Sequence, residues 1–417
     1  MPERLKILLS AYACEPDRGS EPEVGWGLAT HLAQLHEVWI LTRSANRPSI
    51  ENRLKDHPLP SAHWVYFDLP SWARSWKQGE RGFLLYYFFW QIGAYFRARA
   101  LHGSIGFDVV HHVTFVTYWL PTFLWMLPAP FVWGPVGGGD FIPAGFRAAL
   151  GWRGRLHEAL RDLVLASDRI HPLLRLALKN SRATLATTTE TGRRLRSLGA
   201  QHVETLTQVA MTEDEVARIA ARPGNPGQGP IRFISVGRLI PWKGFHFAVS
   251  AFAHVQRILP DSSYHIVGEG PERRRLERLT KEAGLESHVS FLGWLSRRHV
   301  FGAIAECDIL VYPSFHDSGC FVILEAMATG VPVVCLDVGG PSILVSQDTG
   351  IRIPVSSPNR LVSDLAGAML RLSEDTPLRM SMGRAARDRV LSDFTWRDKA
   401  CRISSIYESI VAEESSR

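Results

Sequence analysis

Two cations and two carboxylates in the second half of the chain have the types and spacing to handle a phosphorylated ligand. Arg238 and Lys243 share one loop, SVGRLIPWKGF, directly after the apolar run FISV; Gly237 opens the loop, Pro241 turns it and Gly244 closes it. A guanidinium grips a diphosphate through paired N–H bonds and an ammonium meets it as a point charge. The loop lacks the spacing and terminal Ser/Thr of a P-loop, and solvated surface charges are the structural alternative. Asp317 and Glu325 stand eight residues apart in PSFHDSGCFVILEAMATGVPVV. A polar loop ending at Ser318 and Gly319, with a helix starting near Cys320, puts Glu325 about 8 Å along that helix at ~1.5 Å per residue. Asp317 stays on the loop, outside the positive end of the helix dipole. A nucleotide-sugar fits such an element in one pose: diphosphate at the helix N-terminus and the two cations, ribose on Glu325, sugar toward Asp317.

Other loops carry weaker signals. CEPDRGSEPEVGWG places Gly19 and Ser20 before a helix whose first N–H groups are an anion site, or else forms an acidic surface loop. VGEGPE begins like a dinucleotide fingerprint but lacks its third glycine, and is expected to be a tight turn near the phosphates. GPVGGGD, residues 134–140, is glycine-dense enough to cradle a phosphate or admit an acceptor to the backbone. His111 and His112 end the run DVVHH, and strand alternation lets only one of them face any given side.

Parallel-sheet elements must position these loops. LKILLSAY, HEVWILT, WVYFDL, DVVHHV, FVWGPV and ATLATT punctuate the first half; FISVG, YHIVG, VSFLG, DILVYPS and PVVCLDV punctuate the second. Apolar runs of this length with helical patterns between them predict an α/β protein of two Rossmann-like doubly wound domains. Ligands in such sheets bind beyond the carboxyl ends of the strands, where all the loops above fall. The Gly/Pro-rich stretch 219–230 is the expected linker, separating an N-terminal domain over 1–218 from a C-terminal domain over 231–395.

Composition narrows the rest. The hydrophobic share of 46% and charged share of 21% are those of a globular chain. A net charge of +6, with a pI near 9.2, calls for an anionic partner. Between Arg147 and Arg196 eleven Lys/Arg face four Asp/Glu, a local net of +7. No zinc spacing or aromatic-interleaved RNA motif accompanies them, so nucleic acid is not expected. Five scattered cysteines without a CxxC pair indicate a reducing cytosol rather than a disulfide framework. No metal-binding DxD occurs, and no cofactor is implied. Residues 72–99 put Trp and Arg around an apolar centre, FLLYYFFWQIGAYF, too short to span a bilayer and suited to a core or interfacial helix. With the basic segment it gives an expected peripheral contact with anionic lipid on the inner face of the membrane, the chain itself being cytoplasmic.

In order, GRLIPWKGF, VGEGPE, VSFLGWL, PSFHDSGCFVILEAMATGVPVV and DVGGPSILV resemble the retaining glycosyltransferases of the GT-B fold, family 4 (group 1). LATHLAQLHEVWILTR, DVVHH and FTWRDKACRISSIY extend the resemblance over nearly the whole chain, strongly over 231–345 and more loosely over 1–210. It implies two facing domains around a deep cleft, with a C-terminal helix (about 396–417) packing back on the N-terminal domain. It implies a hexosyltransferase moving a sugar, with retention, from a nucleoside-diphosphate sugar to a saccharide acceptor, lipid-linked if the membrane contact exists, in cell-envelope or exopolysaccharide assembly. Arg238 and Lys243 would stabilise the departing diphosphate, and Glu325, the second Glu of the family's E-x7-E motif, would hold the donor ribose. Asp317 replaces the motif's first Glu. The backbone at Gly319, Cys320 and Phe321 would meet donor sugar or phosphate, and Gly293 to Leu295 would lie near the base. Gly19 and Ser20 match the glycine pair after the first strand, and one of His111 and His112 would approach the donor sugar. The alternatives are a non-catalytic nucleotide-binding subunit of this fold, and a nucleotide-sugar epimerase or hydrolase.

Overall fold

The computed structural model describes residues 4–71, 82–115, 117–120, 122–220 and 229–416. The chain forms two compact units: 1–139, 164–208 and 396–417 make the first, 140–163 and 209–395 the second.

The first unit is built on a seven-stranded sheet of β1 (Lys6–Ala11), β2 (Glu37–Thr42), β3 (Ala62–Tyr66), β4 (Val109–Thr114), β5 (Phe131–Val136), β6 (Ser181–Ala186) and β7 (Val203–Thr205). Every pairing is parallel, in the order β3-β2-β1-β4-β5-β6-β7. The second unit carries β8 (Arg232–Val236), β9 (Ser263–Val267), β10 (Val289–Gly293), β11 (Ile309–Tyr312), β12 (Val333–Leu336) and β13 (Gly350–Ile353), again all parallel, in the order β10-β9-β8-β11-β12-β13. β11 and β12 are buried at every residue, as strands covered on both faces must be. Strand order reverses beside β1 in one sheet and beside β8 in the other. The crevices at the carboxyl ends of β1/β4 and β8/β11 are therefore the topological switch points where such sheets take ligands.

The unit boundaries differ from those read off the sequence in two places. Residues 140–163 belong to the second unit, because Phe146 is fully buried in its core, 5.8 Å from Phe247 and 5.0 Å from Phe315 between ring centres. Arg275 fastens the same segment by donating to the Ala149 carbonyl at 2.7 Å. Residues 209–218 also belong there, tied by the parallel bridge between Met211 and Thr395. Most of the expected linker, 221–228, lies outside the described residues.

The last helix, Trp396–Ser415, belongs to the first unit. It lies along the helix Ser20–Leu35, and Ser404 is 2.8 Å from the His36 ring. Lys399, 4% exposed, donates to the Thr207 carbonyl. Burial, then the nearby Arg402 charge, lower its pKa to about 7. The unfolded chain, with an ordinary lysine near 10.4, therefore binds more protons between about pH 7 and pH 10, so stability attributable to this residue rises with pH across that window. A Lys399→Met variant is expected to lose that pH-dependent increment. Melting temperatures of both proteins at pH 7 and pH 9.5 check it; equal pH dependence would contradict it.

Of the aromatic segment 72–99, residues 72–81 lie outside the described residues. The remainder enters the helix Phe83–Ile105, which buries Tyr86, Tyr87, Trp90 and Ala94 in the first unit's core. No helix among the described residues is long and apolar enough to cross a membrane.

Candidate active site

The loop after β8 is shaped by glycines of the loop after β9. A Cβ on Gly268 would stand 2.0 Å from the Gly237 carbonyl, and one on Gly270 2.4 Å from that of Leu239. Only glycine permits this approach, and it lets Leu239 exchange backbone bonds of 2.9 Å with Glu269 and Glu272. VGEGPE is thus a brace for the cationic loop. Arg238 stands on the loop's outer side, exposed, with no side-chain bond or ion pair among the described residues. Gly293 ends β10 beside the same brace, its carbonyl 2.7 Å from the Gly268 N–H, and Leu295 is half-buried just beyond it.

Lys243 differs from Arg238. Its ammonium donates to the Tyr312 hydroxyl at 2.7 Å and to Asp317 Oδ2, while Tyr312 donates to that same oxygen. Burial, then the Asp317 carboxylate, push the Tyr312 phenol well above its usual range, so it stays a donor. Asp317 is also pinned through its backbone, whose carbonyl accepts the Gly340 N–H at 2.7 Å and faces the Cys320 thiol at 3.6 Å. The aspartate that departs from the family pattern is therefore a fixed counter-ion of Lys243. An ammonium has three protons, and two are engaged here.

The helix after β11 runs Phe321–Thr329 with Cys320 at its cap. Gly319 is half-buried, and its carbonyl accepts the Phe321 N–H at 3.0 Å; Cys320 and Phe321 are buried. Glu325 is buried in the helix, and its Oε1 accepts from Arg297 Nε at 3.1 Å. Arg297 also reaches Glu215 at 3.0 Å. Burial raises the Glu325 pKa, and Arg297 opposes the rise. The second oxygen, Oε2, accepts no bond among the described residues, which leaves it for a hydroxyl.

A group that sequence reasoning missed supports both loops from the helix Gly151–Ser167. Glu158, 1% exposed, meets His316 Nε2 at 2.9 Å, one residue before Asp317. Burial raises the Glu158 carboxyl, but His316, Arg161 and His157 together outweigh it and hold the pKa below its ordinary value. The His157 ring stacks on Trp242 at 4.3 Å, inside the cationic loop. Arg161 donates to the Asp140 carbonyl at 2.5 Å. No local signal marks it, because in the sequence Glu158 falls on the polar face of an amphipathic helix, opposite the Trp152–Leu163 row.

The first-unit candidates stand differently. His111 and His112 point to opposite faces of β4 and are 0% and 1% exposed. His111 lies 2.7 Å from the Gly134 carbonyl and 2.5 Å from the Tyr407 hydroxyl. A carbonyl only accepts, so Nε2 carries the proton and Tyr407 donates to Nδ1. His112 contacts Tyr87 at 3.1 Å and Ser10 at 3.2 Å. Burial lowers the two pKa values to about 4 and about 3, leaving both rings neutral. Both ring nitrogens of each histidine are engaged inside the first unit. Gly19 caps the helix Ser20–Leu35 with φ 67°, and Ser20 follows with φ 54°, uncommon for a residue with a side chain. Glu21 and Glu23 already place negative charge in that first turn. The glycines of GPVGGGD serve packing: a Cβ on Gly138 would stand 2.4 Å from the Trp119 ring, and one on Gly139 2.6 Å from the Thr191 backbone.

Residues 218–389 match the family model for glycosyl transferases group 1. Over 261 residues the chain is 30% identical to the 2-deoxystreptamine glucosyltransferase of Streptomyces kanamyceticus, covering 59% of this chain and 67% of that protein. The chain belongs to the group 1 glycosyl transferases. It is also 30% identical over 194 residues to a glycogen synthase of Mycobacterium tuberculosis, where the match spans 46% of each chain, about half the relative's length. The fold is GT-B. Sucrose-phosphate synthase from Thermosynechococcus elongatus superposes with a TM-score of 0.67 at 20% identity, over 98% of this chain and 100% of that one. Anabaena HepE, solved in complex with UDP and glucose, superposes with a TM-score of 0.59 at 17% identity, over 99% of this group 1 chain and 100% of its own.

Proposed function

We propose that this group 1 glycosyl transferase moves a hexosyl group from a nucleoside-diphosphate sugar to a saccharide acceptor with retention of anomeric configuration, in the assembly of a cell-envelope or extracellular polysaccharide. One observation carries the reading: the β8/β11 switch point has an Arg238 without a partner among the described residues, a Lys243 with a spare proton, a helix start and an acid whose second oxygen accepts no bond among those residues. The UDP and glucose bound in HepE support a nucleoside-diphosphate sugar as the donor.

In this reading the diphosphate lies between Arg238, the third proton of Lys243 and the N–H groups of Gly319 and Cys320. Glu325 Oε2 takes a ribose hydroxyl. As the anomeric C–O bond breaks, negative charge grows on the leaving phosphate, and positive groups already in place stabilise it without reorganising. The acceptor oxygen bonds the anomeric carbon from the same face, and its proton passes to the leaving phosphate. Asp317 and Tyr312 hold Lys243 at its post. Charge on Arg238 and Lys243 would make a metal unnecessary.

The test is a panel of UDP- and GDP-sugars offered with glycan acceptors, reading nucleoside diphosphate release and the anomeric configuration of the product. Release that depends on acceptor and survives a chelator is expected. Release without acceptor would point to a hydrolase, and nucleotide binding without release to a non-catalytic subunit.

A further inference from the structure

The helix Gly151–Ser167 has two faces of opposite use, and only one has a partner in its unit. Its inner face carries His157, Glu158 and Arg161 onto the Trp242 and His316 loops. Its outer face carries Trp152, Leu156, Leu160 and Leu163, spaced i, i+4, i+8 and i+11, at 65%, 54%, 57% and 68% exposure. At 3.6 residues per turn these four form one stripe, with Arg153 and Arg155 on its two sides. Soluble surfaces scatter such residues singly; a contiguous row marks an interaction site.

Charge identifies the partner. Both acids of the helix are engaged by its own unit: Glu158 is buried against His316, and Asp162 pairs with Arg147 at 2.6 Å. Arg153 and Arg155 are exposed and pair with no carboxylate among the described residues; Arg153 lies 5.2 Å from the centre of the Trp152 ring. The outer face is thus apolar with purely positive flanks. Face-to-face pairing of two copies would set these arginines beside a face that offers no unpaired carboxylate. An anionic bilayer meets both needs, since an interfacial helix sinks its apolar row among the acyl chains and keeps its arginines at the phosphates. We infer that Gly151–Ser167 is an interfacial helix that docks this protein on anionic phospholipid through the Trp152–Leu163 row. The inference stands apart from the transferase reading, because docking is read without donor or acceptor. If that reading also holds, docking places the two site loops next to the lipid surface and favours a lipid-linked acceptor.

Flotation with phosphatidylcholine vesicles, with and without phosphatidylglycerol, tests it on the full chain. Wild type should float with the mixed vesicles, bind pure phosphatidylcholine at least tenfold more weakly, and detach as salt rises. L156S/L160S should lose more than tenfold in affinity with its melting temperature unchanged, the positions being exposed. R153Q/R155Q should lose the preference for phosphatidylglycerol while keeping residual binding. Mixed-vesicle binding that is absent, or equal in L156S/L160S, overturns the inference. So does a wild-type dimer, seen by light scattering, that L156S/L160S converts to monomer while vesicles bind neither form.

Discussion

Replacing Arg238 by alanine should lower turnover by about 10²–10³-fold, the range seen when one preorganised donor to a developing charge is removed, and leave the melting temperature unchanged. The guanidinium is exposed and unpartnered among the described residues, so the fold loses nothing with it. Lys243→Ala should behave differently although it removes a charge from the same loop. It leaves the Asp317 carboxylate, its side chain only 12% exposed, without its counter-ion and holding only the Tyr312 hydroxyl. Stranded groups of this kind cost about 1–3 kcal/mol, discounted here for residual solvent. The Lys243→Ala/Asp317→Asn double variant, which removes the uncompensated charge but keeps an acceptor for Tyr312, should therefore be more stable than Lys243→Ala alone while remaining inactive. Urea melts beside steady-state rates separate the two effects, and an Arg238→Ala protein with wild-type turnover would contradict the role assigned to it.

Glu325→Ala should act on donor affinity more than on the fold. A hydrogen bond to a charged group is worth about 1.5–3 kcal/mol, which corresponds to a rise in donor KM of roughly ten- to hundredfold. Arg297 keeps Glu215 at 3.0 Å after the change, so no buried cation is left alone. Arg297→Ala should be the more destabilising substitution, because it leaves the buried Glu325, whose pKa is already raised by burial, without its guanidinium. Donor saturation curves and thermal melts of both variants check the pair. Equal KM for wild type and Glu325→Ala would remove the ribose contact.

Much of this architecture is legible in the sequence because buried parallel strands are written as continuous apolar runs. The eleven runs that mark strands all appear in the sheets. The two strands without such a run, Val203–Thr205 and Gly350–Ile353, are short and lie at sheet edges, where fewer residues need be apolar. That the loops bearing Arg238, Lys243 and Asp317 follow strands at a switch point is legible too. Their partners are not: Lys243 meets Tyr312 and Asp317 from 69 and 74 positions away, and no local pattern carries that. The segment 140–163 misleads for a physical reason. Its helical periodicity marks Trp152, Leu156, Leu160 and Leu163 as the face to bury, yet those residues are exposed and the buried face carries Glu158. The adjacent histidines are the opposite case, polar residues that the sheet buries and satisfies internally.

In the proposed reading the loop after β8 holds the diphosphate of a nucleotide donor. Calorimetric titration of UDP and of GDP into the wild-type protein and into Arg238→Ala tests it most directly, since no acceptor need be known. One-site binding of at least one nucleotide, weakened tenfold or more by the substitution, is the predicted result. Binding of equal strength to both proteins, or no binding of either nucleotide to the wild type, would contradict it.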